Sequence, residues 1–81
     1  MPHTYHGLIV NPDWERAEKA VRDAANENGG ELKKFDREEP NRAHARVKFD
    51  TKEKAERKLQ PMKEGIERRG YQTFENRVED D

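Results

Sequence analysis

Between Arg42 and Ile66 the pattern of apolar residues changes period without a pause. In Arg42-Ala43-His44-Ala45-Arg46-Val47-Lys48-Phe49, small or apolar side chains alternate with polar, mostly basic ones. A strand sends successive side chains to opposite faces, so Ala43, Ala45, Val47 and Phe49 line a core while His44, Arg46 and Lys48 form a row on the reverse. Beyond Asp50, the residues Ala55, Leu59, Met62 and Ile66 fall at four-, three- and four-residue intervals, the spacing of one helix face. A strand with one oily and one cationic face, running straight into an amphipathic helix, requires a sheet covered on one side.

The remaining elements follow from the same logic. Tyr5 to Val10 reads as a strand stopped by Asn11-Pro12. Asn11 is placed to cap a helix whose first position is Pro12, with Asp13 and Glu15 at the positive end of its dipole. Trp14, Ala17, Val21, Ala24 and Ala25 share one stripe, and Asn28-Gly29-Gly30 ends the helix. Glu31 to Asp36 is a second strand whose register stays open, because Leu32 and Phe35 differ in parity and cannot both face the core without a bulge. Arg37 to Asn41 is a charged turn leading to an antiparallel hairpin with the 42–49 strand.

The second helix, over 51–69, is expected to be capped by the Asp50–Glu53 pair or by Thr51. Pro61 lies within it, where a missing N–H and a ring clash cost about 3 kcal/mol, so a kink or break is expected near Gln60. After Gly70, Tyr71 to Val78 forms a fourth strand with Phe74 and Val78 on one face and Tyr71, Thr73 and Arg77 on the other; residues 79–81 are expected to fray as an acidic tail. The order is strand, helix, strand, strand, helix, strand. Two split βαβ halves of this kind define the α+β ferredoxin-like layout, a four-stranded antiparallel sheet with two helices on one face, over a single domain, 1–81.

Composition narrows the function. Charged residues make up 43% of the 81-residue chain and hydrophobic ones 30%, so the core is thin, and a domain of this size buries only about 60% of its chain surface. The 17 basic and 18 acidic residues nearly cancel, which leaves any electrostatic attraction local. The chain lacks cysteine, so disulfides, thiolate metal sites and thiol catalysis are excluded, and a cytoplasmic protein is expected. It also lacks a secretory signal pattern and any apolar run of membrane-spanning length, so no membrane partner is expected.

On the uncovered face parity places Tyr5 and Ile9 from the first strand, His44, Arg46 and Lys48 from the third, and Tyr71, Thr73 and Arg77 from the fourth. Planar rings among cations suit single-stranded nucleic acid, whose bases stack while cations neutralise phosphates. Tyr5, Ile9, His44, Arg46, Lys48, Tyr71 and Arg77 are therefore the candidate nucleic-acid-binding residues. A solvated face whose charges prevent aggregation is the plain alternative. A protein-interaction module is a further one: a regulatory adaptor or viral-type inhibitor, or a homodimer through the open sheet, using that face, an edge strand or the charged helices.

The 42–49 strand also resembles the RNA-recognition motif. Arg42, Ala43, Ala45, Val47 and Phe49 match five positions of that family's third-strand octapeptide, a basic-small-aromatic-small-aromatic-aliphatic-any-aromatic pattern. His44 and Arg46 stand where the family places stacking aromatics. Leu8-Ile9-Val10-Asn11-Pro12 is similar to the companion motif, with Ile9 at its aromatic position, and Phe49 to Ala55 with Leu59 resembles the passage into the second helix. The resemblance implies a ferredoxin-like fold and RNA bound on the open sheet.

Catalysis is not expected, and neither is a cofactor. The chain has no serine, no Gly-rich phosphate cradle and no nucleophile elbow. An acylphosphatase-like site would need an anion cradle after the first strand, where Asn11-Pro12-Asp13 brings a proline and a negative charge. His3, His6 and His44 have the wrong spacing for a metal and read as surface histidines. Trp14 and Met62 read as core residues.

Overall fold

A computed structural model describes residues 1–80, with Asp81 outside the described residues. The elements run β1 (Pro2–Ile9), α1 (Trp14–Glu27), β2 (Glu31–Glu38), β3 (Arg42–Lys48), α2 (Lys52–Arg68) and β4 (Thr73–Asp80). The strands form one antiparallel sheet in the order β2-β3-β1-β4. The two helices pack on one face of it, α1 over β2 and α2 over β1 and β4, an α+β ferredoxin-like fold.

Alternation sets the covered face. Leu8 of β1 and Val10 just after it, with Ala43, Ala45, Val47 and Phe49, are buried beneath Ala17, Val21, Ala24, Met62 and Ile66 of the helices. Small residues let the layers close: a Cβ added at Gly65 of α2 would lie 3.3 Å from the Ala24 Cβ of α1. Trp14 and Leu32 pack at the margin of this core. The Leu32–Phe35 conflict is resolved by a bulge between Leu32 and Lys34, which sets both Leu32 and Phe35 against the core.

Several boundaries differ from the sequence expectations. β1 begins at Pro2, before Tyr5, because it has a partner on each side: Pro2 and His3 pair with Asp80 and Glu79 of β4. For the same reason Glu79 and Asp80 belong to β4 rather than to a frayed tail. α1 starts at Trp14, with Asp13 rather than Asn11 at its N-cap. The Asp13 carboxylate makes no capping bond, since it accepts from the Tyr71 hydroxyl and Arg16 instead. α2 is capped by Thr51, whose hydroxyl accepts from the Lys54 N–H at 3.1 Å.

Pro61 does not break α2, which runs from Lys52 to Arg68 as one helix. The carbonyl deprived of a donor by Pro61 belongs to Arg57, an exposed residue whose backbone has water at hand. His6 is not a surface residue: it is 0% exposed, as is Thr4, on the covered side of β1.

Candidate binding face on the open sheet

The reverse of the sheet is set by register. Tyr5, Gly7 and Ile9 of β1 face Arg46, His44 and Arg42 of β3, and β3 in turn faces Lys34, Asp36 and Glu38 of β2. On the other side, Tyr5 faces Arg77 and Gly7 faces Glu75 of β4. Between Gly7 and Leu8 this ladder slips: Leu8 pairs with Thr73, and Phe74 is the extra residue of a bulge.

That bulge corrects the expected fourth strand. Asn76 and Val78 point to the covered side, and simple parity would send Phe74 with them. The extra residue turns Phe74 onto the open face, where its ring tip fills the space a Cβ at Gly7 would occupy, 2.5 Å from that ideal position. Thr73 turns the other way, its hydroxyl donating to Glu67 of α2 at 2.8 Å. Tyr71 precedes the strand and is 4% exposed, so it is not part of the open face. Its hydroxyl donates to Asp13 Oδ2 at 2.6 Å. Burial first, and then Asp13, push its phenol up to about 12.

The other expected residues, Tyr5, Ile9, His44, Arg46, Lys48 and Arg77, do lie on the open face. Three rings meet at its centre. Tyr5 and His44 are stacked with centroids 5.8 Å apart and planes 26° from parallel, while His44 meets Phe74 edge-on, also at 5.8 Å. The Tyr5 hydroxyl bonds to His44 Nδ1. Burial raises the Tyr5 phenol above its ordinary value, and the nearby Glu79 and Glu38 add to that against Arg77 and Arg46. The Glu38 carboxylate can only accept, so His44 Nε2 donates to Glu38 Oε1 at 3.1 Å, and in the neutral ring Nδ1 accepts from the Tyr5 hydroxyl.

Acids accompany much of the positive charge. Arg46 Nε lies 3.1 Å from Glu79 Oε1, a buried oxygen held by that charge without a well-formed hydrogen bond. Arg77 pairs with Glu75 and with Glu79, the latter at 2.9 Å, and its guanidinium covers the Tyr5 ring at 3.9 Å. Arg42 and Lys48 make no ion pair among the described residues, and Arg42 lies over the Phe74 ring at 5.0 Å. Phe74 is 39% exposed. Sequence reasoning missed it, although a glycine inside a strand, here Gly7, is a recognised sign of a bulge or a close approach.

Three concavities lie along α1. One is lined by Arg16, Lys19, Asp23, Arg69 and Tyr71, and the cations there already hold carboxylates. Among the described residues no His, Asp and Glu cluster is placed to hold a metal ion, and no helix is long and apolar enough to cross a membrane. No family model, curated protein or solved structure matches the chain.

Proposed function

We propose that this chain is a non-enzymatic binding module that takes single-stranded nucleic acid, RNA by resemblance, on its open sheet. The observation that carries the reading is the Phe74 ring, exposed on the open face with the Arg42 guanidinium over it, an aromatic and a planar cation that makes no ion pair among the described residues. Bases stack on such rings with about 1–3 kcal/mol each, whatever their sequence. The similarity of the 42–49 strand to the RNA-recognition motif supports the same surface.

The ion pairs set the expected strength. With Arg46 and Arg77 engaged by glutamates, Arg42 and Lys48 are the cations left for phosphate. Each phosphate neutralised on a single strand contributes about −0.7 to the slope of log K against log salt. Binding should thus be weak, with a slope no steeper than about −1.4. Anisotropy titration of a fluorescent hexauridylate at low salt tests this. Phe74→Ala should weaken binding at least about fivefold. Absence of binding at low salt, or indifference to Phe74→Ala, sinks the reading.

A protein partner, including a second copy of the chain, is the second reading. It is favoured by the pairing of Arg46, Arg77 and His44 with Glu79, Glu75 and Glu38, an apolar centre inside a charge-balanced rim. Concentration-dependent light scattering that Phe74→Ala abolishes, with no RNA binding, would decide for it.

A further inference from the structure

The sheet ends in two strands that each pair on one side only, β2 and β4. On β4 the single cation, Arg77, is held by its own neighbours Glu75 and Glu79. On β2 the charges are arranged differently. Lys34 and Asp36 stand on the open face on either side of Phe35, which is half-buried against the core on the covered face. The ion pair between them is loose, 3.6 Å with side chains 61% and 56% exposed, so both can turn to a neighbouring strand. We infer that β2 pairs antiparallel with the β2 of a second copy of the chain, about a two-fold axis at Phe35.

Symmetry and charge select this register. Residues directly opposite in an antiparallel pair share a face of the sheet. With the axis at Phe35, Lys34 of each copy meets Asp36 of the other, and the two Phe35 rings meet at the margin of both cores. Moving the axis to Lys34 sets two lysines face to face, and moving it to Asp36 sets two aspartates so. Like charges directly opposite destabilise a pair, so the neighbouring registers are disfavoured. Two copies of the four-stranded sheet then join as one eight-stranded sheet with all helices on the same side. The contact leaves Phe74 uncovered, and it holds whatever the open face binds. The neutral alternative is an edge whose lysines and bulge keep other strands away. A single pair of edge strands is a small interface, so the dimer is weak and dissociates on dilution.

The test is sedimentation equilibrium of the intact chain from micromolar to millimolar concentration. The expected result is a reversible equilibrium between one copy and two. Lys34→Glu and Asp36→Lys each set like charges opposite at both pairs, and each should weaken the dimer about tenfold or more. In an equimolar mixture of the two variants, Glu at 34 meets Lys at 36 and Asp at 36 meets Lys at 34, so the dimer should return. Both positions are exposed, so folding is preserved; thermal unfolding checks this, and recovery in the mixture does so independently. Phe74→Ala should dimerise as the unaltered chain does. A chain that stays single throughout overturns the inference, as does a dimer that survives both reversals, that the mixture fails to recover, or that Phe74→Ala abolishes. The hexauridylate titration is read separately, so the nucleic-acid reading stands or falls on its own result.

Discussion

His6 and Asn76 face one another across β1 and β4, and the His6 Nδ1 donates to the Asn76 amide oxygen at 2.6 Å inside the protein. The other ring nitrogen accepts from the Thr4 hydroxyl at 2.9 Å. Asn76 passes the chain on to Thr73 at 3.1 Å, and Thr73 to Glu67 on α2. A histidine on a thin core is thereby satisfied as a neutral ring, and two strands and a helix are tied by one polar line.

That line makes stability depend on mild acid. Burial pushes His6 below its ordinary value of 6.5, with the Asn76 bond opposing. A depressed histidine stabilises the fold fully above the unfolded value, and the contribution declines as pH falls below 6.5 toward the lowered folded value. Urea unfolding between neutral pH and 5 should show stability falling by up to about 1.4 kcal/mol per pH unit. His6→Leu should be less stable at neutral pH by about 1–3 kcal/mol, through the stranded Asn76 and Thr4 groups, but should lose this slope. An unchanged slope in the variant counts against the assignment.

Tyr71→Phe removes the hydrogen bond that does most to hold the Asp13 carboxyl below its ordinary value. A depressed carboxylate stabilises above its unfolded value and stops doing so as pH falls through the folded one. The variant should therefore be about 1–2 kcal/mol less stable at neutral pH, and this deficit should shrink in acid below the carboxylate range. Alkaline absorbance titration gives a second readout: the phenolate signal near 12 should vanish with Tyr71.

Gly7→Ala places a methyl group against the tip of the Phe74 ring. Because Phe74 is exposed, the ring can swing aside, and the expected cost is about 1 kcal/mol. The stacking plane is lost with it. In a Phe74→Ala background the same methyl meets no ring, so the two substitutions should be strongly non-additive in a double-mutant cycle of unfolding free energies. Simple additivity would mean that the contact does not govern the ring.

Pro61→Ala restores an N–H to the middle of α2 and relieves the ring clash. An interior proline costs about 3 kcal/mol against alanine, partly offset by its stiffening of the unfolded chain, about 0.4–1 kcal/mol. The variant should be more stable by about 2–2.6 kcal/mol in urea unfolding. A loss of stability would show that Pro61 makes a packing contact worth more than the bond it prevents.

The strand and helix from Arg42 to Ile66 are legible in the sequence because each repeats its period several times, and the layout of the other elements follows from capping and turn chemistry. The clash of parity between Leu32 and Phe35 announces the β2 bulge. The β4 bulge carries no such clash: Phe74 and Val78 agree in parity, so alternation alone sends Phe74 to the wrong side. Tyr71 belongs to the interior because Asp13 and Arg16, distant in the chain, converge on its hydroxyl. Likewise the acids beside Arg46 and His44, Glu79 and Glu38, come from other strands, and a register is needed before they can be matched to their cations.

Thr73 is anchored to α2 and Asn76 to the interior, so position 74 sits on a bulged stretch of β4 fastened at both ends yet owes nothing to either fastening. Its occupant can be exchanged, aromatic for aliphatic or for polar, while every hidden neighbour stays where it was. Ligand preference on this scaffold can therefore drift independently of foldability, with Gly7 as the one residue that must remain small for a large ring to lie there.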